Sequence, residues 1–397
     1  MKALYYRDFR LMWIGLFVSA VGTWMQIVAQ ALLVVKLTNG SALALGVVSL
    51  AQAVSFFLFA LGGGALADKF DRRRLLLTTQ TVLMLLAAGL GCLTHFGVVR
   101  LWMIVAIAFC SGSVLSIDQP TRGALIPTLV PPEAIMNAIS LQSVIFSGAA
   151  TFGPAIAGFA LHWVGYAGNF FLNAVSYLAA IFTLLLIRPP VENTKPRAPF
   201  WDTIRASLSA VGRDSVLPRV FSGYGAMLFL GPSAAVMLPI FAVNILHISP
   251  PQMGLLFAAV GAGTVAGGLL IASFGDIRAK GVVFLTGMIL WSAALAAFAV
   301  STTMWISVLA LFILGASQNA ATATAVTLMQ TRVPPEMRGR VMSLNTLLIM
   351  GVRPLGDFPA GALIATIGGP LTAGIGAALT GVYALFLAAT NPDLRDA

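Results

Sequence analysis

Long apolar runs separated by short polar turns recur twelve times along this chain, at about 11–35, 42–67, 75–95, 101–121, 137–163, 168–187, 218–246, 252–274, 281–300, 304–331, 341–365 and 370–390. A run of about 20 apolar residues, coiled as a helix, matches the ~30 Å hydrocarbon core of a bilayer. There a helix satisfies its own backbone without water. The runs are continuous rather than alternating, which argues against a membrane β-barrel. Charged residues make up only 9% of the 397, against roughly 25% in an average soluble protein. So few charges would leave the surface of a soluble fold this size uncovered, and a disordered chain needs the opposite balance. The pattern predicts an all-α integral membrane protein with twelve transmembrane helices.

Orientation follows from the basic residues, because cytoplasmic loops retain Lys and Arg. With the N-terminus inside, the inner set is Lys2, Arg7 and Arg10; Lys69, Arg72, Arg73 and Arg74; Arg188, Lys195, Arg197, Arg205, Arg213 and Arg219; Arg278 and Lys280; Arg332, Arg338 and Arg340; and Arg395. That is 19 of 23, so both termini are expected in the cytoplasm and the chain in the cytoplasmic (inner) membrane. The net charge of +10 is then explained by topology, which removes the case for a nucleic-acid partner. The first apolar run follows the N-terminal residues without a cleavage site and is expected to be retained. Cys92 and Cys110 fall inside apolar runs and signal neither disulfide nor metal. His95, His162 and His247 fall at outer helix ends.

The longest inner connection, about 188–217, divides the chain into six spans and six: an N-terminal bundle over 1–187, a cytoplasmic linker over 188–217 and a C-terminal bundle over 218–397. Phe200, Trp201, Ile204, Leu208 and Val211 recur within the linker near helical spacing, suggesting an amphipathic helix on the inner membrane surface. An internal repeat supports the division. Val130-Pro131-Pro132-Glu133 returns as Val333-Pro334-Pro335-Glu336, and the same 203-residue offset pairs Gly148 with Gly351, Gly153 with Gly356, Gly158 with Gly361 and Gly165 with Gly368. An offset of 208 pairs Gly46 with Gly254 and Asp68 with Asp276. Both copies keep the same inside-outside sense, as parallel repeats related by an axis along the membrane normal do.

After the second run the chain reads Gly64-Ala-Leu-Ala-Asp68-Lys69-Phe70-Asp71-Arg72-Arg73-Arg74. This resembles the loop signature of the major facilitator superfamily, with Gly64, Asp68, Lys69, Arg72 and Arg73 matching and Asp71 replacing a usual glycine. The resemblance implies two six-helix bundles with pseudo-two-fold symmetry and a charged loop that acts as a conformational latch. Its ion pairs, and its capping of a neighbouring helix, would favour one domain arrangement. The resemblance also brings Asp118, at the inner half of span 4, into the latch through Arg72; the alternative is that Asp118 merely pairs with Arg122 one turn on. Gly148-x4-Gly153-Pro154-x3-Gly158 is similar to the helix-5 motif of exporters (antiporters) in the superfamily, where small residues allow close helix approach. Gly22-Thr-Trp24-Met-Gln26 and Ala124-Leu-Ile-Pro127-x3-Pro131-x-Glu133 resemble the bacterial branch of transmembrane secretion effectors and siderophore exporters. The resemblance also implies a monomer surrounded by membrane lipid.

Arg353 and Asp357 are the costliest feature, because they fall near the middle of span 11, where a charge costs ~2.5–3.5 kcal/mol. Spaced four apart they share a helical face, so a mutual salt bridge is one expectation. The other makes Asp357 a proton-coupling site, with Arg353 its charge partner or an anchor for an anionic substrate group. Polar, aromatic and sulfur side chains within apolar spans are candidate substrate-binding residues: Trp24, Gln26, Gln30, Gln52, Phe56, Gln142, Phe146, Met227, Phe229, Gln318 and Asn319. Amides would orient a small molecule against an adaptable apolar wall. No phosphate-cradling Gly-x4-Gly-Lys-Ser/Thr loop occurs, nor any clustered ligand set for a metal, and no cofactor or enzyme activity is expected. The expectation is a secondary-active, proton-coupled exporter of amphipathic organic molecules such as drugs or siderophores, working by alternating access. An uptake symporter or facilitator of the same fold is the alternative, as is a non-transporting lipid-flipping or receptor-like protein.

Overall fold

The computed structural model describes residues 2–187, 200–273 and 279–396. Helices account for the regular structure in these residues: α1 (Arg7–Leu37), α2 (Ala42–Lys69), α3 (Arg72–His95), α4 (Leu101–Leu125), α5 (Ile135–Leu186), α6 (Phe200–Arg213), α7 (Leu217–Leu230), α8 (Ala234–Asn244), α9 (Pro250–Ser273), α10 (Lys280–Ala299), α11 (Met304–Thr331), α12 (Pro335–Leu347), α13 (Arg353–Ile367), α14 (Gly369–Thr390) and a short α15 (Pro392–Arg395). Eleven stretches among the described residues are long and apolar enough to cross a membrane. The stretch counted at Ile156–Leu186 is only part of α5, a helix of 52 residues that runs through a kink at Gly165. At 1.5 Å per residue it extends about 80 Å along its path, enough for the fifth and sixth spans together. Span 7 shows the reverse: it is broken into α7 and α8 at Gly231-Pro232-Ser233. Span 11 is interrupted by a π-helical turn, Leu348–Val352, between α12 and α13.

Contacts divide the chain into two compact units. The first holds the described parts of Met1–Asn39 and Ala51–Arg197, with Pro250–Gly254; the second holds Gly40–Leu50 and the described parts of Ala198–Ser249 and Leu255–Ala397. The start of α2 thus groups with the second unit, where two glycines allow a close crossing. A Cβ on Gly46 would lie 3.1 Å from the Asp357 carbonyl oxygen, and one on Gly361 would lie 2.6 Å from that of Ala42.

The repeat read from the sequence recurs as equivalent contacts inside each unit. Gly165 and Gly368 turn the chain between consecutive spans with φ of +67° and +87°, a region that side chains disfavour. In the first unit a Cβ on Gly112 would meet the Gln52 carbonyl at 2.3 Å; in the second, one on Gly315 would meet that of Val260 at 2.1 Å. These residues correspond at the 203- and 208-residue offsets. Small residues bring the spans together where lipid offers no hydrophobic drive for helix association.

The linker forms α6 over Phe200–Arg213, which packs on α12; Val211 is buried and Leu208 exposed. The side chains of Phe200, Trp201 and Ile204 lie outside the described residues. Beyond α6, Asp214 accepts the backbone N–H groups of Val216 and Leu217, both at 2.8 Å, and pairs with Arg332 at 3.2 Å. Partial burial pushes the Asp214 carboxyl up, but those two N–H groups and the Arg332 guanidinium outweigh it and hold the group below its ordinary value.

Candidate functional site

The break in span 7 frees backbone groups in the middle of an apolar segment, and each freed group needs a partner. Asp357 on α13 supplies one: its Oδ1 accepts the N–H of Ser233 at 2.9 Å, the residue at the N-cap position of α8, whose own side chain makes no cap bond. The carboxylate is 5% exposed and faces the positive end of a half-helix. On the other side of the break, the Phe229 carbonyl would lie 2.4 Å from a Cβ on Gly356, and that of Leu230 would lie 2.2 Å from one on Gly376. Glycines on α13 and α14 therefore let both spans come up against the broken ends.

Arg353 is the first residue of α13, immediately after the π-helical turn, a feature frequent at functional sites. Among the described residues none of its nitrogens lies within 4.0 Å of a carboxylate oxygen. The mutual Arg353–Asp357 salt bridge, one of the two sequence expectations, is thus not formed: the N-terminus of α8 competes for the carboxylate. Arg353 still lies in electrostatic range of Asp357 and of Tyr224. Tyr224, on the buried face of α7, has Thr322 of α11 beside its hydroxyl. Ser233, Tyr224 and Thr322 were not singled out from the sequence. Gly231-Pro232-Ser233 inside an apolar run was the available signal for the break, since proline lacks the N–H that would continue a helix.

The latch residues divide. Gly64 and the side chains of Asp68 and Lys69 lie outside the described residues. Asp71, in place of the usual glycine, caps α3 by accepting the Arg74 N–H at 2.7 Å. Arg72 donates to the Ala124 carbonyl at 3.1 Å, and Arg73 donates to Leu184 and Leu185, both at 2.6 Å. These arginines sit on the C-terminal carbonyls of α4 and α5, where a cation complements the helix dipole. Asp118 is fully buried. Its Oδ2 takes Arg122 at 2.5 Å, while its Oδ1 takes Thr79 and Gln80 at 2.8 Å each. Of the two arginines considered, Arg122 makes the contact, since one turn of α4 already brings it there.

The helix-5 residues pack against α1 within the first unit. A Cβ on Gly148 would meet the Phe17 ring at 3.0 Å, and one on Gly153 the Trp24 Cβ at 2.5 Å and the Val21 carbonyl at 2.8 Å. Pro154 and Gly158 are buried beside them.

The substrate-binding candidates fall in both units. In the first, Gln26 accepts from Asn173 at 2.7 Å, which ties α1 to α5. Trp24, Gln30, Phe56 and Gln142 are half-buried and Gln52 is exposed; the Phe146 side chain lies outside the described residues. In the second, Met227 is buried, Phe229 is exposed, and Gln318 and Asn319 are half-buried. Gln318 lies four residues before Thr322, so both belong to one face of α11. Met227 and Phe229 belong to the first half of the broken span, and Arg353 opens α13, which packs on it.

The model of the family described as transmembrane secretion effector matches residues 3–395. The chain belongs to that family. It is a multi-pass membrane protein and a transporter of the major facilitator superfamily. The enterobactin exporter of Citrobacter koseri is 24% identical over 379 residues, covering 94% of this chain and 88% of its own. The macrolide efflux protein A of Streptococcus pyogenes is 20% identical over 358 residues, covering 88% and 87%. In fold, the chain is similar to a POT family transporter solved in complex with 5-aminolevulinic acid, with a TM-score of 0.80 at 10% identity over 98% of this chain and 96% of that one.

Proposed function

We propose that this transporter is a proton-coupled exporter (antiporter) that moves amphipathic organic molecules, such as drugs or siderophores, out across the cytoplasmic membrane by alternating access. It works as a monomer in lipid with both termini in the cytoplasm. One observation carries the reading: a carboxylate near the middle of span 11, 5% exposed, is tied to the backbone of a broken span 7 by the Ser233 N–H. Protonation removes the negative charge that the end of α8 favours, so loading Asp357 with H⁺ weakens the tie between the two spans. Releasing the proton restores it. A proton gradient thereby acts on the attachment of a half-helix.

Export rather than uptake is supported by the helix-5 motif and by relatives named for enterobactin export and macrolide efflux. The loop from Gly64 to Arg73, with Asp118, serves as the conformational latch. Arg72 and Arg73 reach the ends of α4 and α5, so displacing the loop disturbs both helices.

The test is transport of a radiolabelled macrolide in proteoliposomes with an imposed pH gradient. Wild-type protein is expected to move it against H⁺ flow, and Asp357→Asn, which can neither take up nor release the proton, to lose the gradient-driven part by about tenfold or more. The amide oxygen of the variant still accepts from Ser233, so folding is retained. Undiminished gradient-driven transport by Asp357→Asn overturns the coupling, and movement of substrate along with H⁺ overturns export.

A further inference from the structure

Asp357 is committed to the end of α8, which leaves the positive charge of Arg353 without an ionic partner among the described residues. Arg353 lies 12 residues from the start and 14 from the end of the apolar stretch Val341–Ile367, at the depth where an arginine is most costly. Such a cation is retained by pairing, by water, or by a ligand. None of its nitrogens is among the buried polar atoms that lack a partner, so the half-buried guanidinium keeps accessible donors.

Its surroundings place it toward the interior rather than toward lipid. The π-helical turn before it and α13 itself both pack on α7, which carries Tyr224, 3% exposed, and α7 packs on α11, which carries Thr322; Asp357, four residues on, is 5% exposed. Tyr224 offers a hydroxyl from α7, and Thr322 with Gln318 a hydroxyl and an amide from one face of α11. A planar fork of N–H donors beside hydroxyl groups matches a planar anion such as a carboxylate.

We infer that Arg353, with Tyr224 and Thr322, forms an anion subsite in the second unit, and that the exported molecule carries a carboxylate or a similar delocalised anion on an apolar body. The inference rests on the transporter reading above but not on the direction of transport or on proton coupling.

The test uses the purified full-length chain and two probes of the same shape, 2-naphthoate and 2-naphthamide, with binding read from ligand-dependent thermal stabilisation. Wild-type protein is expected to bind the carboxylate at least about tenfold more tightly than the amide. Arg353→Gln should bring the ratio near one, and Arg353→Lys should retain part of it as a point charge. Should Arg353→Gln fail to fold, Arg353→Lys and salt competition on the wild type carry the test: added chloride must weaken naphthoate and leave naphthamide unchanged. Equal binding of the two probes by wild type overturns the subsite, as does a preference that survives Arg353→Gln. Anion preference in a protein whose transport ignores the pH gradient overturns the coupling alone; gradient-driven transport without anion preference overturns the subsite alone.

Discussion

In the first unit the fifth span crosses α1 at Gly153, against the Val21 carbonyl; in the second, α13 crosses span 7 at Gly356, against the Phe229 carbonyl. At the two repeat offsets these residues correspond, yet the residue after each glycine differs. After Gly153 comes Pro154, facing a continuous α1 in which Met25 has an ordinary helical place. After Gly356 comes Asp357, facing a span broken at Ser233, the counterpart of Met25. One change opens the helix and the other supplies the acceptor that the opening requires. The exchange runs the other way at spans 3 and 4. Thr79 and Asp118 bond in the first unit, whereas their counterparts Gly287 and Ala321 pack so closely that a Cβ on Gly287 would lie 3.0 Å from that of Ala321. The shared scaffold therefore tolerates a buried charge at either place, provided its partner changes with it.

The sharpest way to break this comparison is to leave one partner behind. Arg122→Ala strands a buried carboxylate and should cost about 3–5 kcal/mol, measured by chemical denaturation of the purified protein. Asp118→Ala combined with Arg122→Ala makes the first unit resemble the second, where Ala321 and Ala325 stand, and should cost clearly less than the sum of the single changes. Additive costs would mean that the charge pair is not a replaceable unit.

Next in size are the crossing glycines. Gly153→Ala and Gly356→Ala should each destabilise by about 1–3 kcal/mol through overpacking. Gly356→Ala should be the worse, because its new methyl meets a backbone carbonyl at 2.4 Å. Gly89→Ala, with nothing within 4 Å, should gain up to about 1 kcal/mol of helix propensity. Equal losses at Gly89 and Gly356 would remove the packing argument.

The smallest effect concerns how spans 1 and 7 begin. α1 starts after Tyr6 with no side-chain cap, whereas its counterpart is held by Asp214. The Asp214 carboxyl is depressed by those bonds and by Arg332, so its contribution is present above the unfolded carboxylate range, near pH 3.9. It is lost as pH falls through the lower folded value. Asp214→Asn should lower the unfolding midpoint slightly at neutral pH, by the equivalent of about 1 kcal/mol or less for a partly exposed pair. The difference from wild type should vanish in acid. A difference that grows in acid would reverse the assignment.

Much of the scaffold was legible in the sequence. Each apolar run meets the bilayer by itself, so existence and length of spans follow from local composition; Gly165 and Gly368 were visible as a repeated pair because both turns need φ > 0. The candidate site was legible only in part. Arg353 and Asp357 stood out by their cost, but four-residue spacing argues for a salt bridge, and spacing cannot register a competing donor on another helix. Likewise Asp118 could be assigned to Arg72 or Arg122 from charge alone. Tyr224 and Thr322 escaped notice because a tyrosine and a threonine in apolar helices are commonplace until a lone cation is found beside them.

By itself the sequence determined that this chain is helical, spans the membrane repeatedly and consists of two related halves. Hydropathy and repeated glycines act segment by segment and need no knowledge of neighbours. Tertiary structure alone decided which buried charge answers to which group: Asp357 to a backbone N–H 124 residues away, Asp118 to Thr79 and Gln80 as well as to its own helix. In hydrocarbon a charge is compensated by whatever donor folding brings within reach, and separation along the chain does not enter that choice.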